Sequence, residues 1–181
     1  MNTSQRSRFL TGIFAAALII AATSISAPAQ NEPKTSIAIS TDIMGKLQSM
    51  GAAHAGDPAA WFAIPPDKLP FNMATDNSGR RGVTLIGDPT KPGTYIMAVK
   101  WPPNVTAKAH LHGDDRYAIV LKGTFYFGHG SKFDAGKLDV RPVGTFFTEP
   151  AGIVHFGATH DDGCILLFIG TGPLKTTQIE K

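Results

Sequence analysis

The sequence has little cysteine, no long hydrophobic segment and no run of basic residues, and each absence narrows the class of protein. Cys164 is the single cysteine among 181 residues, so no disulfide bond can form within the chain. The apolar residues that follow it favour a buried, unreactive thiol. Lys and Arg number 17 against 14 Asp and Glu, and their scattered placement gives no sign of a nucleic-acid-binding surface.

The first 29 residues have the pattern of a secretory signal peptide. Arg6 and Arg8 precede an apolar stretch over residues 9–22, and the small residues Ala27 and Ala29 stand at a cleavage position. The stretch is shorter than the ~20 residues of a transmembrane helix. We predict cleavage after Ala29 and a periplasmic or secreted protein that has no membrane contact; an uncleaved anchor is the alternative. Loss of Arg6 and Arg8 lowers the net charge from +3 to +1.

The remaining chain divides into an N-terminal extension over residues 30–81 and one domain over residues 82–175. Helical spacing of apolar residues predicts a short helix over Thr41–Met50 in the extension. From Gly82 onwards, short β-rich runs alternate with Gly and Pro turns, which indicates an all-β sandwich or barrel. The predicted strands lie over Val83–Ile86, Thr94–Trp101, Tyr117–Leu121, Thr124–Phe127, Thr145–Thr148 and Cys164–Ile169.

Large side chains on these strands are expected to fill the core, and some to line a pocket at the mouth of the barrel. They are Tyr95, Met97, Phe125, Phe127, Phe146 and Phe168. The stretch over Lys132–Val140 is the one longer connection and is expected on the surface.

Three histidines form the candidate functional site. His110 and His112 are two residues apart, so in a strand their side chains point to the same face. His155 follows a Pro150-x-Gly152 turn, which aims it back from a different strand. Each histidine alone has an ordinary structural explanation, but together they predict a site of three imidazole nitrogens with open positions for water or substrate.

The spacing of these residues resembles the two motifs of the cupin family. His110-x-His112 and Gly123 match the first motif, although Asn104 replaces its opening glycine. The second motif is matched by Gly144, Pro150, Gly152 and His155, with Thr159 where the family has Asn. The resemblance implies a double-stranded β-helix, a jelly-roll barrel, that holds one divalent metal ion (iron, zinc, manganese or nickel) with His110, His112 and His155.

One departure from the first motif affects the metal site directly. The position of the family's metal-binding Glu falls on Arg116, and a guanidinium cannot bind a metal ion. Three alternatives follow: a site of three histidines alone, a carboxylate from Asp114 or Asp115 brought in by a bulge, or weak or absent metal binding. Arg116 itself either forms a salt bridge to Asp114 or Asp115 or binds a substrate carboxylate beside the metal.

Three functions are compatible with such a site. The first is a metal-dependent enzyme that carries out dioxygenation, isomerisation or decarboxylation of a small oxygenated compound. The second is a non-catalytic periplasmic module that binds a small molecule or a metal, which the missing Glu and Asn favour. The third is a role in assembly, because an open barrel has edge strands that need cover; from this we predict a homodimer. No residue in the sequence identifies the substrate.

Overall fold

The computed structural model describes Ile43 and residues 63–181. The predicted signal peptide and, apart from Ile43, the predicted helix over Thr41–Met50 lie outside the described residues. Within the described part of the chain, no helix is long and apolar enough to cross a membrane. Two short 3₁₀ turns occur, at Pro66–Lys68 and Ala135–Lys137.

Eleven strands account for half of the described residues. They are β1 (Met73–Ala74), β2 (Arg81–Ile86), β3 (Gly93–Trp101), β4 (Thr106–His112), β5 (Arg116–Gly123), β6 (Phe125–His129), β7 (Asp139–Arg141), β8 (Phe146–Glu149), β9 (His155–Ala158), β10 (Cys164–Gly172) and β11 (Thr176–Gln178). They form a six-stranded sheet in the order β1-β2-β3-β10-β5-β8 and a five-stranded sheet in the order β11-β4-β9-β6-β7. All pairs are antiparallel. The all-β barrel predicted from the alternation of strands and turns is confirmed.

The inner faces of the two sheets enclose the main core. Alternate residues of each strand point inwards, so β3, β5 and β10 contribute mainly branched and aromatic side chains. The most completely buried members of this core include Tyr95, Val120, Phe127 and Leu166. Cys164 belongs to the same core, and burial raises the pKa of its thiol to about 12. The prediction of a buried, unreactive cysteine therefore agrees with its surroundings.

A second apolar cluster covers part of the outer face of the six-stranded sheet. Val83 on β2 and Ala98 on β3 are fully buried there beneath Ile43. Leu69 and Phe71, which follow the first 3₁₀ turn, pack against the same cluster. This part of the N-terminal extension therefore serves as a cover for the sheet.

Some elements differ from the sequence-based expectations. β1 and β11 lie outside the predicted bounds of 82–175 and add an outer strand to each sheet. The surface connection over Lys132–Val140 contains the second 3₁₀ turn and most of β7. Phe146 was expected in the core or a pocket, yet it is 59% exposed. Its side chain points outwards from β8, whereas that of the adjacent Phe147 points inwards.

Asn104 and Thr159 depart from the cupin motifs at positions that do not bind the metal. Both substitutions have a structural explanation. Asn104 replaces the opening glycine and has a backbone φ of 57°, a left-handed conformation that Asn tolerates better than most residues. Thr159 replaces the final Asn, and its buried hydroxyl donates a hydrogen bond to Pro102 O (2.6 Å) and accepts one from Val105 N (3.2 Å). Thr159 thus ties the end of β9 to the loop before β4, and its substitution is no argument against a metal site.

Candidate metal centre

The three predicted histidines lie together on the inner face of the five-stranded sheet. His110 and His112 extend from β4 with the same parity, and His155 on β9 is the direct cross-strand partner of His110. All three are buried, and one ring nitrogen from each lies within 4.8 Å of the others. The structure therefore brings the three residues together as predicted.

The turn before β9 determines where His155 points. Gly152 has φ of 74°, in the left-handed region that glycine adopts without steric cost. Its amide donates to His112 O at 2.9 Å, and the amide of Ile153 closes the turn on Pro150 O at 3.2 Å. The turn is thus fastened to the strand that carries the other two histidines, which fixes the entry of β9.

Hydrogen bonds to the outer nitrogens orient the rings. Nδ1 of His110 lies 2.7 Å from Lys108 O, and Nδ1 of His155 lies 3.0 Å from Ile153 O. A carbonyl only accepts, so each Nδ1 carries the hydrogen and each Nε2 faces the cluster. Nδ1 of His112 lies 3.1 Å from Thr176 Oγ1. Metal-binding histidines in proteins are held in this way, with the second ring nitrogen donating to a neighbour.

The local environment keeps the imidazoles neutral. Burial lowers the pKa of His110 to about 4. Burial, reinforced by the positive charge of Arg116, lowers the pKa of His112 to about 2. Burial also lowers the pKa of His155, although Glu149 opposes that shift. Neutral imidazoles, with a lone pair on Nε2, are the form in which histidine binds transition metals.

A buried carboxylate that the sequence analysis did not select lies beside the histidines. Glu149, on β8, is 3% exposed, and its Oε2 is 3.8 Å from Nε2 of both His112 and His155. Arg116 donates to this oxygen through Nε at 3.0 Å and also through Nη2. The same Nη2 lies 2.6 Å from His112 Nε2. The salt bridge predicted for Arg116 exists, but its partner is Glu149.

Neither carboxylate proposed to replace the missing Glu contacts the histidines through any hydrogen bond found in residues 63–181. Asp114 accepts a hydrogen bond from the hydroxyl of Tyr95 at 2.9 Å, and Asp115 accepts one from Ala151 N at 2.8 Å. Both residues lie in the turn between β4 and β5, so the alternation of side chains along β4 that places His110 and His112 on one face does not extend to them.

A cavity of about 410 Å³ opens above the site, a volume that suits a small organic ligand. The three histidines, Arg116 and Glu149 are polar residues of its wall, while Met97, Trp101, Phe125, Phe127 and Phe168 are among the apolar ones. Arg116 therefore lines the cavity, with its guanidinium already paired with Glu149. At the mouth, Arg80 pairs with Asp76 and lies 4.4 Å from the centre of the Trp101 ring.

The donor set suits a transition-metal ion. Nε2 of His155 is buried and has no hydrogen-bond partner among the described residues. A buried polar atom without a partner is rare in a native protein and calls for an explanation. This nitrogen converges with Nε2 of His110 and of His112. In all three rings Nδ1 is already hydrogen-bonded, so an ion that binds at Nε2 explains the arrangement.

Sequence comparison now identifies the family. A family model of the ChrR cupin-like domain matches residues 62–175, which is more than half of the chain. The chain belongs to this family. The resemblance to cupins drawn from His110, His112, His155 and the surrounding glycines is confirmed. No curated protein matches the sequence.

Several solved structures are similar to this chain. The polyketide cyclase RemF from Streptomyces resistomycificus has a TM-score of 0.55 and 15% identity, with 67% of this chain and 87% of that chain covered. A cupin sugar phosphate isomerase from Silicibacter pomeroyi has a TM-score of 0.44 and 16% identity, with 57% and 67% covered. Salicylate 1,2-dioxygenase from Pseudoaminobacter salicylatoxidans has a TM-score of 0.46 and 14% identity, with 58% of this chain and 32% of that chain covered. At these identities the likeness concerns the fold alone.

Proposed function

We propose that this cupin is a metal-dependent enzyme, an oxygenase or isomerase, that acts on a small oxygenated compound. The observation that carries the proposal is the convergence of three buried, Nδ1-anchored histidines at the wall of a cavity large enough for a small molecule. A divalent ion held by such residues supplies Lewis acidity or oxygen activation and keeps positions open for substrate. Iron, zinc, manganese and nickel all accept imidazole ligands.

The chain's own residues account for ligand binding. The apolar side chains of the cavity wall exclude water from around a small ligand. Trp101 lines the cavity, and its indole nitrogen is buried without a hydrogen-bond partner among the described residues. Arg80 adds a positive charge at the mouth, partly neutralised by Asp76.

The alternative is a non-catalytic module that binds a small molecule or a metal. The contact between Arg116 and His112 Nε2 favours a module that binds a small molecule, because a guanidinium beside this nitrogen weakens metal binding and with it any metal-dependent reaction. The two functions share the cavity and the histidines, so only turnover separates them.

The test is turnover by the metal-loaded protein. Protein loaded with Fe²⁺ is assayed for oxygen uptake, and protein loaded with Mn²⁺ or Zn²⁺ is followed by NMR, with a panel of hydroxy acids, enols and catechols. An enzyme converts at least one compound, and a His110→Ala variant does not. Ligand-induced NMR shifts without conversion of any compound would instead establish the binding module.

Localisation and assembly stay predictions of the sequence. The predicted signal peptide lies outside the described residues, so export is tested by N-terminal sequencing of the protein recovered from the periplasm, with Gln30 as the expected first residue. A homodimer is tested by light scattering at several concentrations. A monomer at every concentration would contradict it.

A further inference from the structure

We propose that Glu149 is the carboxylate ligand of this metal centre, supplied from β8 instead of β5, and that Arg116 competes with the metal ion for it. The inference rests on the metal-binding part of the proposed function. It assigns a fourth ligand that the motif position, occupied by Arg116, does not provide.

The first argument is the register between the two strands. Arg116 and Glu149 are direct cross-strand partners in the β5–β8 ladder. Both side chains point inwards, so they occupy neighbouring volumes on the inner face of the six-stranded sheet. The Glu that the cupin motif expects on β5 is therefore replaced by a Glu one strand away, at the same level of the barrel and on the same face.

The second argument is the meeting of three acceptor atoms. Nε2 of His155 is an acceptor, because the hydrogen of that ring is on Nδ1, where Ile153 O binds it at 3.0 Å. Nε2 of His112 is likewise an acceptor, since Arg116 donates to it. Oε2 of Glu149 lies 3.8 Å from both nitrogens. Lone pairs facing each other at this distance repel unless a cation lies among them.

Arg116 supplies a cation, but it satisfies only part of the cluster. Its guanidinium binds Glu149 Oε2 and His112 Nε2, while His155 Nε2 is left without a partner among the described residues. A metal ion reaches all of these atoms only if Arg116 withdraws from His112, because one lone pair cannot serve both. The Arg116 charge also repels a divalent ion inside a buried site. Arg116 is therefore a residue that sets metal affinity and not a ligand.

The experiment measures Co²⁺ binding by calorimetry and by visible absorption, which reports the ligands of Co²⁺ directly. Four proteins are compared: the wild type, Arg116→Leu, Arg116→Leu/Glu149→Gln and the matched control Asp114→Asn. The Asp114 control removes a carboxylate near the site that hydrogen-bonds Tyr95 instead of the histidines. Circular dichroism and thermal unfolding check that each variant folds, and the double variant removes both members of the ion pair to avoid a lone buried charge.

The proposal predicts tighter Co²⁺ binding by Arg116→Leu than by the wild type. Adding Glu149→Gln to that background weakens binding by about tenfold or more, at least the cost of losing a residue that only orients a metal ligand, and shifts the absorption bands. Asp114→Asn keeps the wild-type spectrum. A Co²⁺ site in Arg116→Leu whose affinity and spectrum do not change with Glu149→Gln would overturn the proposal and leave the three-histidine site intact. Absence of Co²⁺ binding in both the wild type and Arg116→Leu would overturn the proposed function as well.

Discussion

The two sheets of the barrel bring opposite kinds of polar group to the same cavity. The five-stranded sheet contributes three neutral imidazoles, each oriented by a hydrogen bond at its outer nitrogen. The six-stranded sheet contributes Arg116 and Glu149, which neutralise each other. Both groups are almost completely buried, where an uncompensated charge is costly.

The two halves of the site tolerate burial in different ways. The imidazoles avoid the cost by staying neutral, which leaves each Nε2 with a lone pair, although Arg116 contacts that of His112. The Glu149 carboxylate has a counter-ion in Arg116, its cross-strand partner on the neighbouring strand. One half is thus prepared for a metal, whereas the other already contains a cation that competes with it.

The largest effect is expected from breaking the charged pair. Glu149→Leu leaves the Arg116 guanidinium buried without a counter-ion, which we expect to lower the free energy of unfolding by about 3–5 kcal/mol. Urea denaturation of the metal-free protein measures it. The Arg116→Leu/Glu149→Leu double variant removes both charges and is expected to regain most of the stability. A double variant less stable than the single one would show that the pair stabilises the fold beyond mutual neutralisation.

Acidification is expected to act on the imidazole half. The pKa of His110 is about 4 in the folded protein, below the ordinary value of about 6.5. The unfolded chain therefore binds a proton first as the pH falls, and stability is fully present above about pH 6.5 and is lost between there and about pH 4. The slope is up to about 1.4 kcal/mol per pH unit for each such histidine.

Urea denaturation of the metal-free protein at intervals between pH 7 and pH 4 tests this. His110→Gln is the control, and its stability is expected to fall less steeply over this range. Equal slopes for the two proteins would mean that His110 is not buried in the neutral form.

A smaller effect is expected from the residue that orients His112. Thr176→Val on β11 removes the hydroxyl that contacts His112 Nδ1 and leaves the ring free to turn. We expect metal affinity to fall about 10-fold to 100-fold, measured by competition with a chelator. Thr177→Val, on the opposite parity of the same strand, is the matched control and is expected to bind as the wild type does. Equal losses in both variants would point to a disturbed β11 and not to His112.

Much of the barrel and the three histidines could be predicted from the sequence because both depend on local patterns. Turn residues bound the short β-rich runs, and His110 and His112 keep the two-residue period that places them on one face. β1 and β11 were missed because each is only two or three residues long and exists through pairing with a neighbour.

Glu149 was missed for a different reason. It is 33 residues away from Arg116 along the chain, and only the register of β5 against β8 places the two side chains together. Its position before Pro150 and its inward parity with Phe147 were the available signals. Because the motif position falls on Arg116, the sequence suggests the neighbouring carboxylates of Asp114 and Asp115. The turn between β4 and β5 places these two side chains against Tyr95 and Ala151 instead.

The most direct test of the central claim is the metal content of the protein, purified without a polyhistidine tag or chelator. It is analysed by mass spectrometry beside a His110→Ala/His155→Ala double variant. The account predicts close to one divalent ion per wild-type chain, with iron, zinc, manganese and nickel as the candidates, and background levels in the folded variant. A wild-type protein that contains no metal and takes up none on reconstitution with these ions would contradict it.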